Sequence, residues 1–351
     1  MNAATPAPQE DAGAPAPPSR IAFADIEGWA ADDHAAAFAA FRLSAARLLS
    51  GEAPGRGSRA EGLAGIARAA LALSEPSPKR VQAFFEEHFI PHRFAAPGLL
   101  TGYYEPVVEA RLEPSAEFSV PLYAPPAGAS ADENPQADIC APDRPAIEAG
   151  ALAGMGLELA WLADPVDAFF IHVQGSARLR LEDGREIRLA YAGKSGHPYT
   201  SIGRLALERG HLAPGRADKA ALEAFLKADR ARGAALMCEN RSFIFFRILT
   251  DLDPSAGPIG AAGVPLTPGR SIAVDTGHVG LDLPVWLEAP ALPGLGSRPL
   301  RRLMVAQDVG SAIKGQGRAD IFVGSGEQAG IAAGRICESG RMTVLLPRAR
   351  H

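Results

Sequence analysis

Cysteine is scarce in this sequence: Cys140, Cys238 and Cys337 are the only three in 351 residues. They are far apart and odd in number, with no CxxC pair and no histidine at zinc spacing, so no disulfide framework, metal site or cofactor is expected. A basic excess is also missing. The 35 Lys and Arg against 40 Asp and Glu leave a formal charge of -5, which gathers neither nucleic acid nor an anionic membrane surface. No run of about 18 apolar residues occurs, so no membrane-spanning helix is expected. The glycines around Lys194 in "YAGKSGHPYTSIGR" lack the GxxxxGK[ST] spacing of a nucleotide loop. No repeat of solenoid length is found.

What is present is an ordinary globular composition, 47% hydrophobic and 21% charged over 351 residues, enough for one large or two ordinary domains. Residues 1–20, rich in Ala and Pro, read as a disordered lead-in; they lack the basic and apolar regions of a secretory signal and a cysteine for a lipid. Helical spacing follows. Phe38, Phe41 and Leu48 recur on one face before a stop at Gly51, and Ser77 with Pro78 begins a second helix. After Pro97, short β-branched and aromatic runs cut by Gly and Pro predict strands. In "SARLRLEDGREIRLAYAG", Leu179 and Leu181 face Ile187 and Leu189 around the Asp183-Gly184 turn pair, which predicts a hairpin. Helices return as "SIGRLALERG", ending at Gly210, and as one helix from Asp218 to Gly233. Strands dominate again from "RSFIFFR" onward. The fold class is therefore α+β, mainly β with flanking helices.

Several residues could carry chemistry. "AVDTG" resembles half of an aspartic-protease site, but "QDVGS" is a poor second copy; Asp275 reads better as an acceptor for turn N–H groups. Asp282 is similarly ambiguous. "FFIHVQGSARL" predicts a strand with His172 and Gln174 on one face. His172 reads first as a hydrogen-bonded core histidine, whereas Gln174 beside Gly175 and Ser176 suits a sugar hydroxyl or N-acetyl group. Tyr103 and Tyr104 in "LTGYYEP" could stack on a sugar or fill a core. Lys194 reads as a cleft donor or a solvated loop charge. In "QDVGSAIKGQGRADIFVG", Asp308 and Lys314 lie in a loop between two strands. Asp320 sits among apolar neighbours, where desolvation raises a carboxyl pKa and favours a general acid. Pairing with Arg318 or Lys314 is an equally good reading of Asp320 from the residues alone.

Taken in order from Leu99 to Leu346, "LTGYYEP", "DPVDAFFIHVQGSARL", "YAGKSGHPYTSIG", "NRSFIFF", "GVPLTPGRSIAVD", "RLMVAQDVGSAIKGQGRADIFVG" and "EQAGIAAG" resemble the membrane-bound lytic murein transglycosylase A family. The resemblance implies a double-psi β-barrel (residues 21–105 and 239–349), an inserted smaller β domain (106–238) and a glycan groove between them. It implies cleavage, without water, of the β-1,4 bond between N-acetylmuramic acid and N-acetylglucosamine, leaving 1,6-anhydromuramic ends. By family position Asp320 would be the single catalytic acid and Asp308 a supporting one. Thr101, Tyr103, Gln174, Gly175, Lys194, Lys314 and Gly315 would bind substrate. The implied partners are peptidoglycan strands and other cell-wall enzymes, for a monomer in the periplasm or cell envelope, associated with the outer membrane. Two rival readings stay open: a glycan hydrolase using Asp308 and Asp320 as a pair, and a cell-wall binding module that does not cut.

Overall fold

Helix α1 (His34–Leu49) starts where the Asp33 carboxylate accepts the Ala36 N–H at 3.1 Å, and it gives way to Gly51 at φ +76°, a left-handed stop. Helix α2 (Ala64–Ala72) precedes α3 (Pro78–His88), which has the expected Ser77 cap and Pro78 in its first turn. Phe38 and Phe41 meet Phe84 and Phe85 with ring centroids 5.1 to 6.1 Å apart. Truncating one such ring to alanine costs about 3–5 kcal/mol. In this computed structural model the described residues are 16–52, 54, 56–126, 139–213, 218–250 and 252–349. Residues 1–15 of the expected lead-in lie outside them. Its last part does not stay free: β1 (Ser19–Arg20) pairs with Arg93 and His92 of β2 (Phe89–Arg93).

Strand β3 (Gly98–Glu105) leads into a β-rich segment. There β4 (Val107–Glu109) is followed by β5 (Val120–Tyr123), α4 (Arg144–Glu148), β6 (Glu158–Leu162) and α5 (Pro165–Gln174). The expected hairpin forms from β7 (Ser176–Arg180) and β8 (Glu186–Lys194), with Leu179 opposite Ile187. Next come α6 (Ile202–Glu208), α7 (Lys219–Ala228), α8 (Arg230–Cys238) and β9 (Ile244–Leu249). Strands β4, β7, β8 and β9 make one sheet and β5 pairs with β6. Because β9 hydrogen-bonds to β8, this sheet is completed past residue 238, where the sequence reading ended the insert.

Two local expectations are corrected. His172 and Gln174 lie on helix α5, not on a strand: Asp164 caps the helix, Pro165 occupies its first turn and Gly175 closes it at φ +78°. Those terminus signals outweigh the β-like composition between them. The helix expected from Asp218 to Gly233 is broken at Asp229, which ends α7 and accepts the Arg232 N–H as the cap of α8. Gly233 is not a stop. A Cβ there would lie 2.3 Å from the Leu226 carbonyl oxygen, so glycine permits the two helices to touch.

The chain then supplies β10 (Ser271–Val274), β11 (Pro284–Ala291), β12 (Pro299–Asp308), β13 (Ala319–Ser325), α9 (Glu327–Ala333) and β14 (Cys337–Pro347). The order β14-β11-β12-β10-β13-β3 closes through β14–β3 into a six-stranded barrel, with β10–β12 and β3–β13 parallel. A closed barrel has no free edge among those strands. Fully buried Trp286 and Leu303 on its wall join the aromatic helices in one core. The barrel is tied to the inserted sheet by Glu105. This fully buried carboxylate pairs with Arg178 at 2.7 Å and Arg188 at 2.9 Å, and also accepts from Ser325 at 2.7 Å.

Candidate active site

Strand register puts both C-terminal acids in one row. Ala273 on β10 is opposite Asp308 on β12 and opposite Asp320 on β13, and Asp320 is in turn opposite Thr101 on β3. Opposed residues on neighbouring strands share a face. The two aspartates are therefore two strand spacings apart, about 10 Å between backbones, with only an alanine methyl between them. That gap is the floor of a cleft between barrel and insert, a cavity of about 240 Å³ lined by both aspartates and by Tyr103, Gln174 and Gly175. A second cavity of about 560 Å³ shares Arg56, Tyr191 and Tyr199 with the first and continues past Lys194 and Lys314, so the two form one groove.

The two acids differ in what they are given to bind. Asp308 is buried and saturated with donors. Its Oδ1 accepts the N–H groups of Ala261 at 3.0 Å and Val309 at 2.9 Å, and its Oδ2 accepts the Tyr103 hydroxyl at 3.0 Å. Among the described residues the Asp320 carboxylate has one hydrogen bond, from the Thr101 hydroxyl, which itself accepts from Arg318 at 2.7 Å. Burial pushes the Asp320 pKa up and the Asp308 charge adds to the rise; Arg318 and the Thr101 hydroxyl oppose it only in part. The surroundings of Asp320 favour its protonated form. Burial also raises the Tyr103 and Tyr199 hydroxyls, with the negative charge of Asp320 contributing to each.

The sequence-derived residues fall in different layers. Thr101 supports Asp320 from beside it and is absent from the groove lining. Tyr103 has its ring packed 5.5 Å from Phe322, so its hydroxyl, not its face, serves the site. Tyr104 lies on the other side of β3, but its N–H donates to Gln174 Oε1 at 3.0 Å, which fixes the Gln174 amide at the cleft edge. Lys314 is mostly exposed and pairs with Asp275 at 3.8 Å, not with Asp320. Gly315 is outside the lining; its N–H donates to Asp275 at 2.8 Å. Asp275 also accepts from Gly277, so it is the turn acceptor the sequence suggested; burial opposes its ionisation, and the two N–H groups still hold it below the usual carboxylate range.

His172 is a core histidine. Arg144 donates to its Nδ1 at 3.1 Å, which places the ring proton on Nε2, and burial together with Arg144 lowers its pKa well below normal. Its edge still reaches the cleft, whose lining includes His172, Val173 and Gln174 together. Sequence reading missed Arg56, Tyr191 and Tyr199. The two tyrosines flank Lys194 in a motif already singled out, a signal that could have been used. Arg56 sits in a polar glycine-containing loop with no such mark.

Residues 99–247 match the MltA specific insert domain and residues 270–346 match the 3D domain. A solved membrane-bound lytic murein transglycosylase from Agrobacterium tumefaciens is 35% identical, with TM-score 0.85 over 95% of this chain and 98% of that one. The chain belongs to the membrane-bound lytic murein transglycosylase A family. The curated family member from Vibrio cholerae is 35% identical over 250 residues, covering 70% of this chain but 64% of its own length. A further family structure, Escherichia coli MltA with bound chitohexaose, is 27% identical with TM-score 0.72, covering 97% of this chain and 98% of that one.

Proposed function

We propose that this chain is a peptidoglycan lytic transglycosylase of the cell envelope with Asp320 as its single general acid and base. The observation that carries this reading is the asymmetry of the two acids: Asp320 is desolvated with one hydroxyl donor, while Asp308 is held by two backbone N–H groups and a tyrosine. Protonated Asp320 gives its proton to the glycosidic oxygen as the bond to C1 breaks, and the N-acetylglucosamine side leaves as an alcohol. The resulting carboxylate takes the proton of the muramic C6 hydroxyl while that oxygen bonds to C1. One bond is exchanged for another and no water is consumed. Because the nucleophile belongs to the substrate, its effective concentration is high and a second carboxylate is unnecessary. Gln174, Gly175 and Lys194 line the groove in which the strand would lie. Asp308, through Tyr103, would hold the loop from Val309 to Arg318 that leads into Asp320.

The test is mass spectrometry of products from purified murein. Anhydro ends, lighter by one water than reducing ends, are expected from the wild type. Asp320→Asn, nearly isosteric but unable to carry the proton, should still pellet with murein and release no soluble fragments. Reducing ends from the wild type would support the paired-acid hydrolase, and pelleting without release would support a binding module.

A further inference from the structure

Three arginines line the cavity that holds Asp320: Arg56, Arg144 and Arg318. Two already have several hydrogen-bond acceptors. Arg144 donates to the Asn240 and Ser242 carbonyls, Glu148 and His172. Arg318 donates to the Leu99 and Ala319 carbonyls and to Thr101. Arg56 is different. Its guanidinium lies 3.9 Å from the centre of the Tyr191 ring, and its Nη2 is 3.6 Å from Asp308 Oδ1, too far for a hydrogen bond. Among the described residues its side chain has no hydrogen-bond acceptor. The Asp308 oxygen facing it already takes two backbone N–H groups.

This is not a loose surface arginine. The Arg56 N–H donates to Ala261 O at 3.4 Å, Leu281 N–H to Ser58 O at 2.8 Å and Ala60 N–H to Leu281 O at 3.1 Å. Arg59 donates to Ala262 O at 2.8 Å. The loop is stitched to the barrel, and the guanidinium rests over the Tyr191 ring of β8. A stacked guanidinium keeps its in-plane N–H edge free, and that edge matches the two oxygens of a carboxylate.

We infer that Arg56 is a substrate-specificity residue that recognises a carboxylate on the glycan strand, so that acidic murein is preferred over a neutral N-acetylglucosamine polymer. The inference rests on the murein reading proposed above. In murein the carboxylate has two sources: the lactyl group of muramic acid once its peptide is removed, or a stem peptide still attached. Both present the same planar anion to the same fork.

The experiment uses the full chain, with Arg56→Gln and Arg56→Lys, on three substrates. One carries stem peptides, the second is stripped to the free lactyl carboxylate, and the third is the stripped strand with that carboxylate converted to a methylamide. The readout is the ratio of wild-type to variant kcat/KM on each. Arg56→Gln should lose about tenfold or more on a carboxylate-bearing strand, the effect of one charge-assisted hydrogen-bonded pair, and clearly less on the methylamide. Arg56→Lys should recover part of the loss, because it keeps charge without the fork. A loss confined to the first substrate assigns the peptide carboxylate, and one confined to the second assigns the lactyl group. Wild-type kcat/KM should also be higher on at least one carboxylate-bearing strand than on the methylamide, an arm independent of how the variants fold. Equal losses on all three substrates, or none, overturn the inference. Absence of anhydro ends from the wild type on every substrate would instead overturn the murein reading.

Discussion

Thr101 donates its hydroxyl hydrogen to Asp320 Oδ1 while accepting from Arg318, so a cation and an acid face each other through one alcohol. That bond favours the carboxylate, and its loss must raise the Asp320 pKa further. Thr101→Val should move the alkaline limb of the kcat/KM profile up by about one pH unit, the size of one hydrogen bond to a charged group. Thr101→Ser should restore it. A limb that stays in place in Thr101→Val, with turnover otherwise intact, would mean that Asp320 does not set it.

Asp308 pushes Asp320 the other way. Its charge raises the Asp320 pKa, so Asp308→Asn should move the same limb down in pH. The asparagine oxygen can still accept from Ala261 and Val309, and Tyr103 can reverse its hydroxyl toward the new amide. The variant should therefore fold and keep measurable turnover, a smaller loss than the roughly 10²–10⁴-fold expected for removing a general acid or base. Steady-state rates on soluble murein fragments across pH check both points. If Asp308→Asn proves as inactive as Asp320→Asn while still folded, the single-acid mechanism is wrong.

The parts of this fold that were readable from sequence are those fixed by neighbours in the chain. Gly51, Ser77 and the Asp183-Gly184 turn act within four residues of themselves, and each formed as expected. Helix α5 was misread because a run of aromatic and β-branched residues suits either a strand or a buried helix; only Asp164, Pro165 and Gly175 at its ends decide. The catalytic candidate could be named through family likeness, yet its environment could not. The row Asp308–Ala273–Asp320–Thr101 depends on three pairings among four strands, two of the pairings parallel, and no local signal encodes such a register. Arg56 is more remote still, since its loop is placed by backbone bonds to Ala261 and Leu281, far along the chain.

Asp282 gives the last test, one of stability. It is fully buried in a left-handed conformation, φ +71°, with Arg59 Nε 3.4 Å away, and burial outweighs that cation and Ser44 to push its pKa up to about 6. An acid with a raised native pKa stabilises the fold below its unfolded value near 4, and that stability is lost as pH rises through about 6. The gap of about two units corresponds to about 3 kcal/mol. Other acids whose pKa desolvation raises, Asp320 and Asp167, slope the same way, so the quantity to read is the difference between wild type and Asp282→Asn. Asparagine tolerates the left-handed backbone and does not titrate. Urea unfolding at pH 4.5 and 7.0 should show the wild type losing more stability than the variant over that interval, by about 1–3 kcal/mol. Parallel losses in the two proteins would show that Asp282 is ionised throughout and that the Arg59 pair outweighs its burial.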